Sequence, residues 1–133
     1  MLLDNEAIQA LGRPGHPKHR QVVAHAQVVA QRKRRAAEIQ ILAPTAVRVE
    51  AGWDRTAAAW VFMNRLRITD VPLGGVHADI AAAIRARTGV SVADAHIGSV
   101  IQVLAVDRVT IVTSDPEDMR RVAGSRRIEI VAI

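Results

Sequence analysis

Four carboxylates stand where polar residues interrupt apolar runs, and their types and spacing suit hard-metal chemistry. Asp4 follows the apolar start Met1-Leu2-Leu3. Glu50 ends Pro44-Thr45-Ala46-Val47-Arg48-Val49-Glu50. Asp94 lies in Val90-Ser91-Val92-Ala93-Asp94-Ala95-His96. Asp115 closes Val109-Thr110-Ile111-Val112-Thr113-Ser114-Asp115, just before Pro116. Each acid has a plain structural reading. Asp94 is three residues after Ser91, a capping-box spacing. Asp115 before Pro116 reads as an N-cap with Pro at the first helical position. Asp4 reads as a turn residue, and Glu50 as a solvated helix residue paired with Arg48 or Arg55. Gathered in one place, however, four like charges would oppose one another's ionisation, and a cation would relieve them. Oxygen ligands in a chain without Cys suit Mg²⁺ or Mn²⁺. Such an ion lowers the pKa of a bound water to make a nucleophile, and a second one stabilises a leaving oxygen. Thr113 and Ser114 are candidates to hold metal-bound water. The backbone N–H groups of the 115–118 turn are candidates to meet a phosphate.

The elements that would bring these acids together alternate between strand and helix. Residues 1–3 read as a short strand and Glu6 to Leu11 as a helix broken by Gly12-Arg13-Pro14-Gly15. A second helix is expected from Pro17 to about Arg35, with Val22, Val23, Ala26, Val29 and Ala30 on one face. Its last turns carry Arg32-Lys33-Arg34-Arg35, where the helix dipole favours cations. Residues 38–43 read as a strand. Thr45 then caps a helix containing Glu50, and Asp54 caps another through Trp60 and Met63. Leu66-Arg67-Ile68 reads as a strand closed by Thr69-Asp70-Val71-Pro72. A helix from Gly75 to Arg87 presents Val76, Ile80, Ala83 and Ile84, and Gly89 ends it. The central helix spans Ser91 to Val106. Val109 to Val112 is apolar or β-branched throughout, as a strand covered on both faces requires. A helix from Pro116 to Ala123 and a strand from Arg127 to Ile133 complete an α/β fold with a mostly parallel sheet, in one domain covering residues 1–133. Parallel strands leave a sheet by the same edge, so Asp4 and Asp115 are expected on one rim, with Glu50 and Asp94 near helix starts beside it.

Composition narrows the functions. Half of the chain is apolar, so it can build a core, and without Cys it has neither disulfides nor a thiolate zinc site. One Phe, two Trp and no Tyr argue against base stacking on an aromatic sheet. The net charge is +5 with His neutral, and only Lys18 and Lys33 of its 18 basic residues are lysines. Arginine forks suit phosphate, which fits an RNA or DNA partner, although a GC-rich genome yields the same bias. The absence of a signal pattern or a membrane-length apolar run gives a cytoplasmic expectation.

Other features have plainer readings. His16 and His19 have a ligand-like spacing, but a loop cap is the simpler role. Arg32 to Arg35 form a solvated basic helix end or an RNA contact. Trp53, Trp60, Phe62 and Met63 suit a core or an interaction groove. Arg120 and Arg121, with Arg126 and Arg127, are candidates for phosphate contacts. A receiver domain would need a Lys beyond its last functional strand, and no Lys follows Lys33. A dehalogenase-like phosphatase would need Asp-x-Asp after its first strand, where this chain has Asp4-Asn5-Glu6. A non-catalytic RNA- or partner-binding module remains as the alternative.

The chain resembles the PIN-domain ribonucleases, most closely the VapC-like toxins of toxin–antitoxin pairs, over almost its whole length. Asp4 matches the family's opening acid after the first strand. Glu50 matches its helical Glu, often after a Pro-Thr start. Asp94 in Ala93-Asp94-Ala95 matches the third acid, and Asp115 in Thr113-Ser114-Asp115-Pro116 the fourth. The resemblance implies a parallel sheet between helices, an acidic metal pocket at one edge, and Mg²⁺-dependent endonucleolytic cleavage of RNA, often transfer or ribosomal RNA. It also implies a small antitoxin and a second copy of the chain as partners. Asp4, Asp94 and Asp115 would bind metal, and Glu50 would bind metal or orient water. The first strand is shorter than the family's, and His96 and Gly98-Ser99 replace residues that are often small and apolar there.

Overall fold

Val109, Ile111, Val112 and Thr113 are all buried, so the strand they form is covered on both faces, as its composition demands. The computed structural model describes residues 1–33 and 40–133. Five strands are seen in these residues: β1 (Leu2–Leu3), β2 (Leu42–Pro44), β3 (Thr69–Val71), β4 (Val109–Thr113) and β5 (Ile128–Ala132). They form one sheet in the order β3-β2-β1-β4-β5, and every pairing is parallel. The helices are α1 (Asn5–Gly12), α2 (His19–Lys33), α3 (Thr45–Ala51), α4 (Val61–Arg65), α5 (Gly75–Thr88), α6 (Val92–Val103) and α7 (Pro116–Ala123), with a 3₁₀ turn at Ala58–Trp60.

The strand order reverses direction beside β1. From β1 the chain moves outward through β2 to β3, then crosses back to β4 and outward to β5. Right-handed crossovers running in opposite directions place their helices on opposite faces of the sheet. The crevice between the exits of β1 and β4 is the switch point at which α/β sheets bind ligands. Register fixes its walls: Leu3 lies opposite Val112, so Asp4 emerges beside Thr113.

α6 is the central helix. Ala93 and every residue from Ala95 to Ile101 are buried, so it is enclosed almost all round. Gly98 makes that possible. A Cβ there would lie 2.9 Å from Val122 Cβ and 3.0 Å from the Val122 carbonyl oxygen of α7, and 2.8 Å from Ile84 Cδ1 of α5. The α7 backbone cannot retreat without moving the helix. Gly98→Ala is therefore expected to destabilise the protein by about 1–2 kcal/mol in denaturant unfolding, the overpacking cost exceeding the gain in helix propensity.

Several boundaries differ from expectation, each for a local reason. The third strand is Thr69–Val71, not Leu66–Ile68, because Arg67 adopts a left-handed φ of 51° that a pleated strand cannot contain. Residues 69–71, expected as a turn, pair with β2 at the sheet edge. Thr45 is not the α3 cap. Pro44 holds that position without a side-chain bond, and the Thr45 hydroxyl accepts the Leu73 N–H at 3.1 Å. Asp54 caps only a local turn, accepting the Thr56 N–H and hydroxyl. α2 begins at His19, after a turn, and α6 ends at Val103. On α5 the buried residues are Ala81 and Ile84, while Val76 and Ala83 are exposed on the other side. Gly89 ends α5 as expected, at φ 74°. Arg34, Arg35 and the Glu38-Ile39 start of the expected second strand lie outside the described residues, as do the side chains of Ala30, Arg32 and Lys33. Among the described residues no helix is long and apolar enough to cross a membrane.

Candidate carboxylate site at the exit edge of the sheet

Asp4 is the anchor of the switch-point crevice. It is 5% exposed, and both carboxylate oxygens are held by main-chain donors. Oδ1 accepts the Ala7 N–H at 2.6 Å, capping α1, and Oδ2 accepts the Ser114 N–H at 2.9 Å, tying the exit of β1 to that of β4. Burial raises its pKa, against the opposing pull of the Ala7, Thr113 and Ser114 hydrogen bonds. Thr113 is fully buried. Its hydroxyl accepts the Asp115 N–H at 2.9 Å, which fixes the start of the turn into α7.

Asp94 and Asp115 are both helix-start residues. The Ser91 hydroxyl accepts the Asp94 N–H at 3.0 Å and donates to Asp94 Oδ2 at 2.6 Å. Asp115 Oδ1 accepts the Asp118 N–H at 3.0 Å as the α7 N-cap, with Pro116 following. That N–H, expected to be available for phosphate, is occupied by the cap. The helix-start readings of Asp94 and Asp115 thus hold, and Asp4, expected as a turn residue, is the N-cap of α1. They do not compete with a site, because a carboxylate has about four acceptor positions and a cap occupies one.

Glu50 is exposed on α3, but its expected partners are elsewhere. Arg48 and Arg55 both pair with Asp70 of β3 and both lie over the Trp53 ring, at 4.9 and 4.4 Å from its centroid. Glu50 instead stands within electrostatic reach of Asp94 and Asp4. Partial desolvation, then Asp94 and Asp4, raise its pKa.

A fifth acid joins them. The pKa of Asp118 is raised by desolvation, then by Asp115, with Asp94 and Glu117 adding to the rise against the pull of Arg121. Sequence reasoning passed over it because an acid in a first helical turn is ordinary. The available signal was its spacing of three from Asp115. Arg121 lies 3.0 Å from Asp118 and 3.3 Å from Glu117, so this candidate phosphate contact is engaged with acids, whereas Arg120 is exposed. The Arg126 guanidinium donates to the Leu104 and Val106 carbonyls at 2.7 Å, a structural role; Arg127 is exposed.

The remaining candidates fall away from the crevice. His16 pairs with Glu6 at 3.3 Å, while His19 Nδ1 meets the Ala10 carbonyl at 2.7 Å, so these two rings serve separate partners at the α1–α2 corner. Trp53, Trp60 and Met63 are buried, and Phe62 is exposed.

The donor set suits a hard dication in its all-oxygen chemistry and in the negative charge that, after desolvation, adds to the raised pKa of Glu50 and Asp118. Among the described residues, however, no three His, Asp or Glu side chains as placed converge on a single ion position. An apolar groove of about 540 Å³ adjoins Glu50, lined in part by Ala46, Val49, Leu73 and Val92. The site therefore defines an α/β domain with coupled carboxylates at its switch point. No protein-family model matches the chain, and none of the curated proteins matches it.

Proposed function

We propose that this chain is a metal-dependent endoribonuclease, the toxin component of a toxin–antitoxin pair. One observation carries the reading: at the exit edge of a parallel sheet Glu50 stands close enough to Asp94 and Asp4, acids from separate stretches of chain, that both add to the rise in its pKa begun by partial desolvation. The similarity of the acid-bearing motifs to PIN-domain ribonucleases supports it. Asp4, Asp94 and Asp115 would hold Mg²⁺ or Mn²⁺, and Glu50 would hold the ion or orient water. A bound ion supplies an activated water and neutralises charge on the phosphodiester. Around it, the Ala7 and Ser114 N–H groups keep Asp4 in place, and Arg120, exposed in the last turn of α7, would be a candidate for a phosphate contact. A small antitoxin and a second copy of the chain are the partners this reading entails.

The test is purified protein with total cellular RNA in Mg²⁺, in Mn²⁺ and in EDTA, with cut ends mapped. Discrete cleavage with either ion and none in EDTA is the expected result. The competing reading, a non-catalytic RNA- or partner-binding module, is favoured by the lack of three converging side chains in the described residues. It predicts salt-sensitive RNA binding without cleavage in any of the three conditions.

A further inference from the structure

α3 begins without a cap of its own. Pro44 at its N-cap position offers no side-chain acceptor, and the Thr45 hydroxyl is turned to the Leu73 N–H. The first amides of a helix have no intrahelical acceptor, so a partner from elsewhere stabilises this end. One comes from α6: the Ala46 N–H donates to His96 Nδ1 at 3.3 Å.

His96 is fully buried. The His77 ring of α5 lies 5.7 Å from it, centroid to centroid. His77 Nδ1 is 3.1 Å from Ser99 Oγ, which donates to the His96 carbonyl at 2.8 Å. The ring is thus seated among α3, α5 and its own helix. Accepting at Nδ1 requires the neutral ring with its proton on Nε2. Nε2 is buried without a hydrogen-bond partner among the described residues.

We propose that His96 is a positioning residue: supplied by α6, its imidazole caps the first turn of α3 and fixes where Glu50 stands relative to Asp94. Asp94 lies two residues before His96 on α6, and Glu50 four residues after Ala46 on α3. The bond therefore ties together the two short segments that carry these acids. The catalytic consequence rests on the ribonuclease reading; the cap itself does not.

The experiment compares His96→Leu with His96→Asn. The two substitutes are of similar shape, but only the Asn side-chain oxygen can take the place of Nδ1. Amide exchange at Ala46 and methyl NOEs from Ala46 and Val49 to Val92 and Ala93 report the α3–α6 seat without any need for activity. In His96→Leu, exchange at Ala46 is expected to quicken about 5- to 10-fold, the loss of one hydrogen bond, and the NOEs to weaken. The kcat for RNA cleavage falls about tenfold or more with KM unchanged, since the acids are misplaced rather than removed. His96→Asn restores Ala46 protection, the NOEs and kcat. Wild-type exchange in His96→Leu, or equal impairment of the Asn and Leu variants, overturns the proposal. If His96→Leu does not fold, His96→Met, which fills the volume without a strong acceptor, takes its place in the comparison. If the wild-type protein cleaves no RNA, the ribonuclease reading falls, and the exchange and NOE measurements still decide the cap.

Discussion

Asp94→Asn is expected to lower metal-dependent RNA cleavage by about 10³-fold or more while leaving the fold intact. The first part follows from charge. A hydrolytic ion contributes several kcal/mol to stabilising the transition state, and each 1.4 kcal/mol lost is about tenfold in rate. Asp94 contributes to the raised pKa of both Glu50 and Asp118, so it stands nearest to the electrostatic middle of the cluster. The second part follows from its local bonds. Asn keeps an oxygen for the Ser91 hydroxyl, and the Asp94 N–H bond to Ser91 belongs to the main chain. Thermal unfolding within a few degrees of wild type, beside single-turnover cleavage rates, checks both halves. Near-wild-type cleavage by this variant would remove Asp94 from the site.

Asp4→Ala is expected to behave differently, losing activity and stability together. The change removes the α1 cap, a loss of about 1 kcal/mol, and leaves the Ser114 N–H without its partner in a partly buried position, for about 1–3 kcal/mol more. The desolvation that raises the Asp4 pKa offsets part of this, because the variant no longer buries a carboxylate. A net cost of roughly 2 kcal/mol, read from urea unfolding, separates Asp4 from Asp94. Equal stabilities for the two variants would mean that the Asp4 bridge from β1 to β4 contributes little to the fold.

The alternation of strand and helix was legible because apolar periodicity changes at nearly every boundary. α7 was placed at its observed limits, since Asp115-Pro116 marks a helix start by local chemistry alone. The buried character of β4 was equally plain. Local signals failed where the determinant was distant or a matter of backbone conformation. Nothing in Leu66-Arg67-Ile68 announces the left-handed Arg67, and the charge of Asp70 made residues 69–71 read as a turn until Arg48 and Arg55 are seen to compensate it. The same pairing explains why Glu50 could not be told from a solvated helix residue: its expected cations are taken by Asp70, in the middle of the sheet's edge strand β3. Asp4, Glu50 and Asp94 were readable as candidates from their motifs. Asp118 offered only its spacing of three from Asp115, because the rest of its neighbourhood is created by how α7 lies against α6, which Gly98 and Val122 determine.

β1 has two residues, yet it occupies the middle of the sheet, between strands that begin 40 and more than 100 positions later. So short a segment cannot act as a folding nucleus, and its neighbours can close on it only after long loops have been brought together, an entropic cost met before any contact rewards it. The Asp4–Ser114 bond spans 110 positions of chain. Assembly of the crevice thus comes late: a chain still emerging during synthesis, or one whose β4 has come away, carries every acid but has nowhere to gather them.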